Sequence, residues 1–287
     1  MKFLRFPTIS TQSEHSPDLQ KCAGWLATLL QSIGLHADTL PTAGQPVVLA
    51  RTPHDSAKRT VLIYGHYDVQ PPDPLELWES PPFEPTLRND RIYARGSTDN
   101  KGQILAHILG VREMLARDGE LPVNVIFLIE GEEEIGSPSL DAFLREHRDE
   151  LACDVICISD NGMAADFHPT LSYAMRGIAA MEVRVKGPSV DLHSGVYGGA
   201  VMNPATAAAR LVASLHDDEG RVLIPGFYDD VQPLADWERA AAAECPVTDA
   251  DLLAQTGAPA LFGEAGYNAV ERIGARPTAE VNGIGGG

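Results

Sequence analysis

The sequence is short of positive charge. It has 22 Lys and Arg against 40 Asp and Glu in 287 residues, a formal net charge of −18 at pH 7. Nucleic acids and anionic membranes are gripped through basic patches, so this balance argues against both as partners. No apolar run is long enough to cross a bilayer, and the opening MKFLRFPTIS has no apolar core of the secretory kind. The expected location is cytoplasmic. Cysteines are few: Cys22, Cys153, Cys157 and Cys245 form neither a CxxC pair nor a secreted disulfide pattern, and they read as structural thiols. Internal repeats are lacking. So is an EF-hand loop, which counts against a calcium-type binding protein.

What is present alternates between two periods. Trp25, Leu26, Leu29, Leu30 and Ile33 share one helical face in a segment with Ser16 as cap, Pro17 at its first position and Gly34 just past its end. A second helix is expected from about Lys101 to Arg117 on Ile104, Leu105, Ile108, Val111, Met114 and Leu115, and a third over Leu140–His147. Between them lie short apolar runs, VVLA near Val47, VLIYG from Val61, VNVIFLI and DVICIS, the last two expected as buried strands. Strands alternating with helices predict an α/β fold, a mostly parallel open sheet with flanking helices. After Gly177 the texture changes. AAMEVRVKG alternates like a half-exposed strand, a Gly-rich stretch follows, then a helix from about Asn203 to Leu215 and a loosely helical segment from Ala240 to Gly263. This divides the chain into 1–177 and 178–287.

The chemistry-bearing residues sit just past the predicted strands, where open α/β sheets place their sites. His66 and Asp68 follow VLIYG and, being two apart in extended chain, share a face. Asp99 precedes the second helix, Glu130, Glu132, Glu133 and Glu134 follow VNVIFLI, and Asp160 follows DVICIS. Singly, these are a core histidine, a helix cap, a solvated loop and a turn. Together they put imidazole and carboxylates at one sheet edge, a donor set without thiolate that suits Zn²⁺, with Mn²⁺ or Co²⁺ as substitutes. Two cations bridged by a carboxylate would neutralise the cluster and leave one glutamate for acid–base work.

With GHYDVQP, YARGSTDNKG, LIEGEEEIGS, CISDN and DLHSGVYGG in this order, the sequence resembles the carnosinase-type dipeptidases of the di-zinc metallopeptidase and aminoacylase superfamily, along nearly its whole length. The resemblance implies that His66, Asp99 and Asp160 hold one metal, that Asp99 bridges to a second held by Glu134, and that Glu133 is the general base. Asp68 would orient the site, and a cis peptide would follow Asp99. Glu130 and Glu132 match no catalytic position. Asn100 stands where the family often has a second Asp, at a position that is not a ligand. His193 of DLHSG would reach the active site of a partner subunit and polarise the scissile carbonyl, making 178–287 part of an α+β lid and dimerisation domain in a homodimer. The implied function is hydrolysis of a dipeptide or short peptide by a metal-activated water. Family members continue past the position of Gly287, supplying a final histidine ligand and residues for the substrate carboxylate. The chain therefore resembles a C-terminally truncated enzyme that keeps some metal affinity and little or no peptidase activity. Two alternatives stay open: an N-acyl amino acid deacylase or carboxypeptidase of the same superfamily, and a non-catalytic metal-binding fragment.

Overall fold

The alternation of side chains between the two faces of one strand sets the layering of the first half of the chain. A computed structural model of the protein describes residues 1–164 and 168–286. They fall into two units, Met1–Gly162 and Met163–Gly287, divided earlier than the change of texture at Gly177.

The first unit holds helix α1 (Ser16–Ser32), strands β1 (His36–Leu40), β2 (Val47–Arg51) and β3 (Thr60–His66), and a small hairpin of β4 (Thr86–Arg88) and β5 (Arg91–Tyr93). Helix α2 (Lys101–Asp118), strand β6 (Asn124–Glu130), helix α3 (Leu140–Glu146) and strand β7 (Val155–Ile158) complete it. Helix α1 begins one residue earlier than a Ser16 cap requires: His15 is the N-cap, Ser16 is already helical, and Pro17 occupies the first turn. Its buried face is Leu19, Cys22, Leu26 and Leu30, with Trp25, Leu29 and Ile33 packed at the margin.

The main sheet has the order β1-β2-β6-β3-β7. It is mixed: β3 pairs in parallel with β6 and β7, whereas β2 runs antiparallel to both β6 and β1. Every residue of β6 is buried. Val125, Phe127 and Ile129 face the layer of α1 and α2, while Ile126 and Leu128 join Phe143 and Leu151 on the opposite side. DVICIS does form a strand, but β7 is an edge strand among the described residues and its Val155, Ile156 and Ile158 are exposed rather than buried.

The second unit contains helices α4 (Ser194–Tyr197), α5 (Pro204–Ala213), α6 (Asp236–Glu244), α7 (Asp249–Thr256) and α8 (Ala269–Gly274). The Asn203 carboxamide caps α5 by accepting from the Ala205 N–H at 2.8 Å, with Pro204 in the first turn. No strand forms over AAMEVRVKG among the described residues. Met181 is 87% and Val183 64% exposed; an alternating pattern cannot hold a strand without a neighbour to bond it. The buried centre of this unit is ionic. Arg276 donates to both carboxylate oxygens of Glu264, at 2.8 and 3.0 Å, beneath the rings of Tyr228 and Tyr267.

Candidate metal centre

Parallel strands end on the same side of a sheet, which brings the tips of β3, β6 and β7 together. His66 is the last residue of β3, level with Glu130 at the end of β6, and it is fully buried. Its Nδ1 lies 3.1 Å from the Asp68 carbonyl oxygen and 3.2 Å from Asp68 Oδ1. The buried Asp68 carboxylate also accepts the backbone N–H of Glu133 (3.3 Å) and of Glu134 (3.0 Å). One carboxylate thus fixes both the ring of His66 and the turn that carries two glutamates, an outer-shell role typical of metal sites.

The other ring nitrogen faces a ring of acids. Nε2 of His66 is 3.1 Å from Asp99 Oδ1, 3.3 Å from Asp160 Oδ2 and 3.9 Å from Glu133 Oε2. None of these is aligned as a hydrogen bond, so Nε2 is a buried polar atom without a partner. Two clusters with ligand atoms within 4.8 Å of one another share this nitrogen's residue: His66 with Asp99 and Asp160, and His66 with Glu133 and Glu134. Gln70 Nε2 donates to Glu134 Oε2 at 2.8 Å and steadies that side chain. The peptide bond between Asp99 and Asn100 is cis.

The electrostatics are those of several carboxylates crowded about one imidazole. Burial disfavours a charged His66, yet the hydrogen bond and charge of Asp68, with Asp160 and Glu133, outweigh it and raise its pKa to about 9. Glu133 is raised by burial, then by Glu134, Asp160 and Asp68, against the opposing pull of His66. Glu134 is also raised, by burial first and by Asp99, while its bond from Gln70 works the other way. An orphaned imidazole nitrogen surrounded by carboxylates fits a divalent cation with nitrogen and oxygen ligands.

The remaining glutamates are engaged elsewhere. Glu130 Oε1 accepts from Tyr64 Oη (2.6 Å) and Ser137 Oγ (2.7 Å), and Glu132 Oε1 accepts the Gln45 N–H (3.1 Å). They tie the sheet to its loops. The opposite side of the ligand segment is fastened to the start of the chain. Thr8 Oγ1 donates to the Tyr67 carbonyl (2.6 Å), the Val69 N–H donates to the Thr8 carbonyl (2.9 Å), and the buried Lys101 donates to the Phe6 carbonyl (2.7 Å). Burial lowers the pKa of Lys101 to about 8.

Residues 62–284 match the model of peptidase family M20/M25/M40. The chain belongs to this family. A Cys-Gly metallodipeptidase of Candida albicans is 35% identical over 256 residues, covering 83% of this chain and 52% of its own. A Beta-Ala-His dipeptidase of Homo sapiens is 41% identical over 195 residues, covering 67% of this chain and 38% of its own. The crystal structure of an M20 family metallo-carboxypeptidase from Sulfolobus solfataricus aligns with a TM-score of 0.78 at 35% identity, over 100% of this chain and 65% of that one. The chain spans about half the length of the curated relatives it matches.

In this M20/M25/M40 member, the structure brings together His66, Asp68, Asp99, Glu133, Glu134 and Asp160. His193 belongs to neither cluster. It lies in the second unit, exposed, where its Nδ1 caps α4 by accepting the Gly195 N–H at 3.0 Å. Sequence reasoning passed over Gln70, although 66, 68 and 70 fall on one face of an extended segment. It noted Asn100 only as a position that is not a ligand.

Proposed function

We propose that the centre built on His66 takes up two divalent cations, zinc first among them with Mn²⁺ or Co²⁺ as substitutes, and that the whole protein hydrolyses dipeptides or similarly short peptides. The observation that carries this reading is the buried Nε2 of His66, left without a hydrogen-bond partner and faced by carboxylates from separate segments. The similarity to named metallodipeptidases points the same way.

When bound, the cations would polarise the scissile carbonyl and make water more acidic. His66, Asp99 and Asp160 would hold one cation, and Asp99 with Glu134 the other. Asp68 keeps the His66 ring turned so that Nε2 faces the cation. Glu133 takes the proton of the attacking water and passes it to the leaving amine. His193 from a second copy of the chain donates to the carbonyl oxygen as charge develops there. The first unit then serves as the catalytic body and the second as part of a lid and dimer contact. The chain's four unpaired cysteines suit a cytoplasmic setting; among the described residues no helix is long and apolar enough to cross a membrane. The net charge of −18 argues against nucleic acid and anionic membranes as partners.

The test is a substrate panel with the zinc-loaded protein. Dipeptides should turn over, and Glu133→Gln should lower kcat by about 10²- to 10⁴-fold with zinc stoichiometry unchanged. Full turnover by the variant removes Glu133 from the role. A second reading, a carboxypeptidase or N-acyl amino acid deacylase, draws support from the metallo-carboxypeptidase whose structure matches. It wins if longer peptides or N-acyl amino acids are cleaved in preference. One tightly held ion per chain and no turnover of any substrate would favour a non-catalytic metal-binding fragment instead.

A further inference from the structure

We propose that Asn100 is the positioning residue that selects which oxygen of Asp160 meets the cation, an inference that rests on the metal reading above and extends it. Asn100 is 2% exposed, and both hydrogens of its amide are engaged. One goes to the Ser159 carbonyl at 3.1 Å and the other to Asp160 Oδ1 at 2.9 Å. Its own Oδ1 faces the backbone N–H of His66 at 3.4 Å. One side chain therefore links the tip of β3 to the segment just past β7.

The geometry distinguishes the two oxygens of Asp160. Oδ1 is occupied by the amide, and Oδ2 is left 3.3 Å from His66 Nε2, in the cluster that would hold the ion. A carboxylate with one oxygen tied down presents a single ligand atom in a fixed direction. In this chain the amide meets two acceptors, a carbonyl and a carboxylate; the second Asp that the family often has here could meet them only when protonated, so the amide is this chain's own means of holding Asp160. Space has been left for the amide as well. A Cβ at Gly65 would come within 2.6 Å of both Asn100 Oδ1 and Ile104 Cγ1, so only glycine admits this side chain next to His66.

The experiment compares the 287-residue chain with Asn100→Asp, which keeps size and removes the donor, and Asn100→Ala, which only removes atoms. Zn²⁺ affinity is measured by competition with a chromophoric chelator. The Co²⁺ absorption spectrum reports ligand arrangement, and circular dichroism of the metal-free proteins reports folding. Both variants should bind Zn²⁺ about tenfold more weakly or worse and show an altered Co²⁺ spectrum while remaining folded. In the unsubstituted chain, the Asn100 side-chain amide resonances should be protected from exchange and shift on zinc addition.

Folded variants with unchanged affinity and spectrum overturn the proposal. So does an Asn100 amide that exchanges like an exposed one and ignores zinc, and this last readout decides the matter if neither variant folds. A parent chain that takes up no cation overturns the metal reading itself, which keeps the two failures apart.

Discussion

The two units solve the problem of burial differently. In the first, α1, α2 and α3 cover both faces of a sheet, and the core contains Leu26, Ile108, Phe127 and Ile129. In the second, Val222 and Ala269 are the buried apolar side chains among the described residues, and Glu264, Glu271 and Arg276 are buried beside them. Leu171, Met175, Ile178 and Met181 are each more than 80% exposed. The difference lies in strand pairing more than in hydrophobic content. Where strands find neighbours they make a surface on which helices can layer. Where the alternating segment finds none, helices are held by caps and a buried ion pair. The site grows out of the unit whose geometry is fixed by packing, as precise metal ligation demands.

This contrast can be broken in four ways, taken from the largest effect down. Phe127→Ala empties the middle of the first core and should destabilise that unit by about 3–5 kcal/mol, leaving the unfolding of the second unchanged when the two are followed by separate probes. A loss shared equally by both would show that they do not unfold independently. Glu264→Gln strands the Arg276 guanidinium and should cost the second unit about 3 kcal/mol, near the low end for a broken buried pair because the Tyr228 and Tyr267 rings remain against it. Zinc uptake by the first unit should survive that change.

Zinc at a hundred times its Kd should raise the midpoint of the first unit alone, by about 2.7 kcal/mol, and a chelator should reverse it. The effect of pH accrues most gradually. His66 is at about 9 in the folded metal-free protein against 6.5 as its ordinary value. Its contribution is therefore complete below pH 6.5 and is lost as pH rises through 9, by at most about 1.4 kcal/mol per pH unit. With zinc the sign reverses, because the ion and the proton compete for Nε2, so affinity should grow as pH rises toward 9. Titration in buffers of different ionisation enthalpy would register the released proton, and a pH-independent affinity would contradict the assignment.

Much of the first unit could be read from residues. The period of α1 and α2 is written in Leu26, Leu30, Ile104 and Ile108, and the rule that sites lie past strand ends drew attention to His66, Asp99, the glutamates after β6 and Asp160, while only the resemblance set Glu133 and Glu134 apart. Direction was harder. HADTL is too polar to announce β1, and nothing local in VVLA says that β2 runs against β6, so the sheet is more mixed than alternating helices and strands suggest. Burial of β7 was misread because VICI looks the same at an edge as at a centre. Asn100 escaped because its importance lies in two hydrogens aimed at acceptors far along the chain, and a sequence shows residue types without showing aim. The glutamate cluster sorted itself only in three dimensions, where Glu130 and Glu132 turned to Tyr64, Ser137 and Gln45.

The fastening of Thr8 and Phe6 behind the His66–Val69 segment has a consequence for assembly. The polypeptide that bonds to Tyr67 and Val69 precedes β3 in the chain, so the clasp can close only once the ligand segment has followed it. Seating the histidine and closing the chain's opening turn against it are then one cooperative event, and the two ends of that clasp should be lost together when the domain opens.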